Sequence, residues 1–222
     1  MPEYQIVGND FQYLIANLQE GEKIYAEGGH LIYKDSSVKL NARLKGGLLR
    51  AIARELTGGT FFLLEVEGPG SVAFSSFFPG KVVRIDLNGE KILAEHTSFL
   101  MCESSVEYSA TLSRLSAGLF GGEGIFLAEF YGNGAVFLHG EGDVQEIDLQ
   151  EGQAVEIEAS HLLAMDSSVN YTVTRVGGLK TMLFGDEGLF FVKAIGPGRI
   201  WIRSASRFQF VASILKNLPR SS

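Results

Sequence analysis

Apolar residues fall in short runs of four to eight, broken near Gly, Ser or Thr, as in EKIYAEGGHLIYKDSS from Glu22, EKILAEHTSFLMCESS from Glu90 and QAVEIEASHLLAMDSS from Gln153. Runs of that length with turn residues between them predict β-strands, because successive side chains of a strand point to opposite faces and a short strand suffices to cross a sheet. Helical spacing is confined to two places. GGLLRAIARELTGG, residues 46–59, puts Leu48, Leu49, Ile52 and Leu56 on one stripe between glycine stops. FQFVASILKNL, residues 208–218, repeats that spacing with Phe208, Val211, Ile214, Leu215 and Leu218 before Pro219, which predicts a docking helix at the end of the chain.

The strand pattern repeats. A Gly-x-Gly followed by an apolar run occurs as GPGSVAF (Gly68, Gly70), GNGAVFL (Gly132, Gly134) and GPGRIWI (Gly196, Gly198), each 64 residues after the last. Ahead of each copy stands an aromatic-rich run, TFFLLEVE, GIFLAEFY or GLFFVKAI. Earlier still come an acid-Ser-Ser-Val at Asp35, Glu103 and Asp166 and a Gly-polar pair at Gly21, Gly89 and Gly152. Short polar side chains that bond their own backbone favour turns, and glycine admits positive φ, so both motifs predict hairpins joining the strands. Four or more strands per unit follow. Units this small leave an apolar face uncovered when alone, so the copies are expected to pack around a shared core. The organisation expected is mainly β, one domain over 1–222 with approximate three-fold internal symmetry: repeat one 1–86, repeat two 87–149, repeat three 150–205, and a helical tail 206–222.

Composition narrows the function classes. Twenty-seven glycines in 222 residues, about 12% against a usual ~7%, suit many tight turns. No basic segment leads into an apolar stretch at MPEYQIVGND, and no apolar run approaches the ~20 residues of a membrane span, so a cytoplasmic protein is expected. Cys102 is the single cysteine, which excludes an intramolecular disulfide and any multi-cysteine metal site and agrees with a reducing compartment. A formal charge of −7, with no two basic residues adjacent, argues against affinity built on neutralising phosphates, so nucleic acid is not an expected partner.

Candidate chemistry is sparse. His30 and His161 hold the same place in repeats one and three, six residues before the first Ser of the Ser-Ser pair, and Ser98 holds it in repeat two. Packing of the repeats that joined them, with His96 two residues from Ser98 and on its face if extended, would offer nitrogen ligands to a divalent metal. Two sure nitrogen ligands are few, so histidines bonded to strand backbone are the simpler expectation, and no cofactor is assigned. His139, in FLHGEGD, reads as solvated. The repeated acids Asp35, Glu103 and Asp166, and Glu123 with Glu187, recur as folding signals do, whereas a catalytic constellation needs unlike groups around one site. GLFGGEG at 118–124 lacks the Lys-Ser/Thr of a phosphate loop, and no Gly-x-Ser-x-Gly elbow occurs.

Taken with EIEASHLLAMDSSVNY, FGDEGLFFVKAIGPGRIWIRS and KGGLLRAIARELTGG, the tripled pattern resembles the altered-inheritance-of-mitochondria family from about Tyr4 to Ser204. The resemblance implies a double-stranded β-helix whose repeats are similar to subunits of the tryptophan-activated RNA-binding attenuation protein, and homo-oligomers, trimers or larger. No enzymatic activity is established for that family, and its mitochondrial member is associated with inner-membrane organisation. Two departures stand out. The family's usual Asp-Thr-Gly-His-Leu-Val-Ala is here Glu158 to Ala164, keeping His161 and Leu162, and its Gln-Thr after the last strand is Arg203 and Ser204. The expected protein is a non-enzymatic homo-oligomeric scaffold or interaction protein, trimeric by preference. The alternative is a cupin-like small-molecule or metal-binding protein, possibly an enzyme, with its site near His30 and His161.

Overall fold

In a computed structural model, residues 2–42, 63–114, 126–176 and 189–217 are described. The helix expected over 46–59, and Glu123 and Glu187, lie outside them.

Alternation sets the local structure. In Tyr13–Leu18 the side chains of Leu14, Ala16 and Leu18 are buried while Tyr13, Ile15 and Asn17 are half-buried, so one face of that strand meets a core. Seventeen strands form among the described residues: β1 Glu3–Val7, β2 Tyr13–Leu18, β3 Lys23–Glu27, β4 Leu31–Lys34, β5 Lys39–Ala42, β6 Leu63–Glu67, β7 Gly70–Ser75, β8 Gly80–Glu95 and β9 Phe99–Glu103, then β10 Val106–Arg114, β11 Phe126–Glu141, β12 Val144–Leu149, β13 Ala154–Glu158, β14 Leu162–Asp166, β15 Asn170–Val176, β16 Leu189–Ile195 and β17 Gly198–Arg203; β9 and β14 are buried on both faces. Among the described residues one α-helix, α1, spans Arg207–Asn217; it forms where the tail helix was expected, but Phe208, Val211 and Ile214 of the stripe expected to dock are exposed. The fold is mainly β.

The strands pair antiparallel in three sheets: β1-β2-β7-β4; the long β12-β17-β14-β8-β11-β9-β3-β6-β5, with β10 also on β11; and β13-β16-β15. Corresponding stretches of the three sequence copies pair alike. Thus β2–β7, residues 80–88 with 133–141, and β12–β17 match in position, as do β3–β6, residues 91–95 with 127–131, and β13–β16. Two further pairings join one copy to the next: β3 with β9 and β8 with β14.

These pairings correct the hairpin expectation. The strands on either side of Gly68–Gly70 do not pair with each other: β6 lies between β3 and β5, and β7 between β2 and β4. Each Gly-x-Gly is therefore a crossing from one set of partners to another, and in the second copy it runs through the unbroken β11. The acid-Ser-Ser turn is likewise a corner, since β4 and β5 belong to different sheets. The two motifs recur together because they touch. A Cβ on Gly198 (φ +136°) would stand 2.6 Å from Ser168 Oγ, and one on Gly134 2.7 Å from both Glu103 Oε2 and Ser105 Oγ, so the corner sits against the crossing. Asp35 and Asp166 fasten it by accepting the N–H of Ser71 and of Arg199, both at 2.8 Å.

Three buried clusters form the core. One gathers Leu14, Ile24, Val72, Phe74, Leu100 and Phe137 from the first copy and its neighbour. The second centres on Ile92, Phe99, Phe130 and Trp201, and the third on Leu127, Leu162, Met165, Val192 and Ile200.

Candidate functional site

The ends of β3, β8, β11, β13 and β17 bring most of the buried charge of the described residues to one end of the molecule. Glu27, Glu95 and Glu158 close corresponding strands, and each leads into a single 3-10 turn: Gly28–His30, His96–Ser98 and Ala159–His161. The turn needs its first N–H groups satisfied, and in the second and third of these the carboxylate supplies this, whereas Glu27 makes no such bond. Glu95 accepts from the N–H and the hydroxyl of Thr97 (3.1 and 2.7 Å), and Glu158 takes the N–H and hydroxyl of Ser160.

Two arginines complete the group. Arg203, at the end of β17, places Nη1 2.6 Å from Glu141 Oε2 and 3.6 Å from Glu95 Oε2, while its Nε donates to the Ser160 carbonyl at 2.9 Å. Arg207, the first residue of α1, lies 2.9 Å from Glu141 Oε1 and 3.4 Å from Glu95 Oε2. Burial alone would raise the Glu95 pKa, but the cations Arg207 and Arg203, His96 and the Thr97 hydrogen bond outweigh it and hold the carboxyl at about 2. Burial, with nearby His30, Arg207 and Arg203, lowers His139 to about 4, and burial also lowers His30 against the pull of Glu27. At neutral pH the group therefore holds ionised Glu95, two arginines and two neutral imidazoles.

The expected histidines divide. His30 is buried, and its Nδ1 donates to the Phe99 carbonyl, the first residue of β9 in the next copy, at 3.0 Å. His161 Nδ1 instead donates to the Arg203 carbonyl of its own copy at 2.8 Å. Backbone therefore takes the Nδ1 of both. His96 and Ser98 do not share an extended strand, as they lie in a 3-10 turn where Ser98 donates to the Glu95 carbonyl at 2.6 Å. His139 is not solvated: it is 1% exposed, and neither ring nitrogen has a hydrogen-bond partner among the described residues. No set of three His, Cys, Asp or Glu among the described residues is placed to hold a metal, and the buried carboxylates Glu95 and Glu141 face arginines.

Sequence reasoning missed Glu95, Glu141, Arg203 and Arg207 as one group. A signal was present, since Glu27, Glu95 and Glu158 align at the end of GEKIYAE, GEKILAE and GQAVEIE, and Arg203 is one of the two family departures. At the opposite ends of β3 and β9 a surface cleft of about 390 Å³ is lined by polar groups including Lys23, Glu22, Glu103 and Ser105. What the buried group does chemically is anchor: it fastens the start of α1 to strand ends of two copies.

A family profile described as mitochondrial biogenesis AIM24 matches residues 4–205. The chain belongs to the AIM24 family. An uncharacterized protein of Streptococcus pyogenes serotype M6 is 26% identical over 222 residues, covering 96% of this chain and 89% of the relative. The crystal structure of a Streptococcus pyogenes protein solved by a structural genomics consortium superposes with a TM-score of 0.78 at 24% identity, over 98% of this chain and all of that one. This likeness places the fold. Among the described residues, no helix is long and apolar enough to cross a membrane.

Proposed function

We propose that this AIM24-family protein is a non-enzymatic, homo-oligomeric scaffold or interaction protein, built from three β-repeats of the double-stranded β-helix kind. The observation that carries this reading is the outer side of α1. Phe208, Phe210, Val211 and Ile214 are all exposed there, and Phe77, 80% exposed, belongs to the loop whose next residue, Phe78, packs edge-on against Phe210. The inner side is fixed through Arg207, so the chain spends buried ion pairs to hold an apolar surface in water, an arrangement that suits contact with another polypeptide. A reducing, cytoplasmic setting fits the lone buried Cys102.

Light scattering of the full chain across micromolar concentrations tests the reading. A multiple of the 24.2 kDa chain mass, a trimer by preference, is expected; a mass of one chain throughout overturns the homo-oligomer.

A further inference from the structure

Each copy of the repeat offers its neighbour one strand edge, and two of the three edges are filled. In the first, β9 pairs β3 with Ile24 opposite Glu103, Tyr25 opposite Cys102 and Ala26 opposite Met101. In the second, β14 pairs β8 with Ile92 opposite Asp166, Leu93 opposite Met165 and Ala94 opposite Ala164. The corresponding strands of the third edge are β4 and β13, and both are the outermost strands of their sheets among the described residues. Burial marks the difference. Leu100, Met101 and Cys102 in β9 and Leu163, Ala164 and Met165 in β14 are each 0% exposed, whereas Ile32 and Tyr33 at the matching places of β4 are 53% and 43% exposed.

We infer that β4 of one copy pairs antiparallel with β13 of a second copy of this chain, in the register the two filled edges already use. This rests on the oligomeric reading above and names its interface. Transferred residue by residue, that register sets Val155 opposite Asp35, Glu156 opposite Lys34 and Ile157 opposite Tyr33. The outer pairs keep their chemistry, a branched aliphatic residue opposite an acid and an apolar pair. The middle pair, Tyr25 with Cys102 or Leu93 with Met165 inside the chain, becomes Glu156 with Lys34. Opposite charges at directly facing positions favour this pairing, while β4 on β4 or β13 on β13 would bring like charges together. Edges charged in this way stay soluble alone and select each other head to tail, a contact that closes into a ring when its rotation permits.

A second feature of the edge agrees. His30 reaches across a filled edge to the Phe99 carbonyl, but His161, at the open one, turns back to Arg203. The residue matching Phe99 at the open edge is Leu31 of the incoming copy. Lys34 is held in place at the edge, its Nζ donating to the carbonyls of Val38 (2.9 Å) and Asp35 (3.1 Å).

Cysteines at positions 34 and 156 test the pairing, since directly opposite strand residues have Cα atoms about 4.5–5.5 Å apart, within the range a disulfide spans. Lys34→Cys and Glu156→Cys are made separately, co-expressed with different tags, purified through both tags and mildly oxidised; the double variant is oxidised in parallel. The expected result is a disulfide-linked pair of chains containing one of each variant, and a ladder from the double variant. A linked pair from either single variant alone means like edges meet and overturns the inference. A disulfide confined within one chain of the double variant overturns it too, because the chain then closes its own edge. Absence of any link while light scattering still reports a multimer overturns this interface and leaves the oligomeric reading standing. A monomer mass removes both.

Discussion

At the scale of the residue, His139 concentrates the consequences of burial. Its pKa is held near 4 against an ordinary 6.5, so the unfolded chain takes up a proton below pH 6.5 that the folded chain refuses until about pH 4. Stability from this group is whole above about pH 7 and falls as pH drops through that window. Glu95, held at about 2, pulls the same way at lower pH: its contribution is present above the ordinary carboxylate range and is lost on further acidification. Substituting His139→Leu removes the titrating imidazole, so the loss of urea stability between pH 7 and pH 5 should shrink by about 2 kcal/mol. An unchanged pH dependence would mean that His139 takes up its proton as readily in the native protein as in the unfolded chain. Gly80 faces the same ring. A Cβ there would stand 2.7 Å from His139 Cε1 and 2.1 Å from the Gly140 carbonyl oxygen, which belongs to the paired strand and cannot retreat without breaking the β8–β11 ladder. Gly80→Ala should lower stability by about 2 kcal/mol or more in urea unfolding.

At the scale of the element, α1 is a helix whose exposed side is too apolar to favour water and whose attachment is electrostatic. Arg207 reaches Glu95 and Glu141, carboxylates 9% and 3% exposed, and its removal leaves both to Arg203. Breaking a buried pair from one side costs more than the pair contributes, because the remaining charge is stranded. Arg207→Met is expected to cost about 1–3 kcal/mol. Backbone amides of residues 208–217 should then exchange with solvent at least tenfold faster while those of β11 are less affected. Protection of α1 equal to that in the unaltered protein would show that apolar packing, including Phe78 on Phe210, suffices to hold it.

At the scale of the whole molecule, the open edge and the apolar side of α1 are two separate reasons to associate, and deletion separates them. A chain lacking residues 206–222 should keep its β4–β13 contact and lose only what the helix adds, so its mass should stay above 24.2 kDa while its dissociation concentration rises by about tenfold or more. Full dissociation on that deletion would place the whole interface on the helix.

The strand-forming stretches and the place of the tail helix were readable along the chain, because each depends on neighbours within a few residues: alternation, turn chemistry and stops. The family was readable as well, from the tripled motifs. Partner choice was not. Gly68, Gly132 and Gly196 read as hairpin turns since a glycine with positive-φ freedom between two apolar runs is the hairpin signal, and the signal is the same when the two strands leave for different sheets. His139 read as solvated because FLHGEGD is locally polar; in the fold it is buried, with Gly80 against its ring and the charges of Arg203 and Arg207 brought near from distant parts of the chain. Glu95, Glu141, Arg203 and Arg207 are likewise separated by up to 112 positions and become one group only where the strand ends converge. Local physics settles where a strand begins and which of its faces is apolar; which strand lies beside it, and so which charges are buried and which edge stays open, is settled only when the sheets assemble.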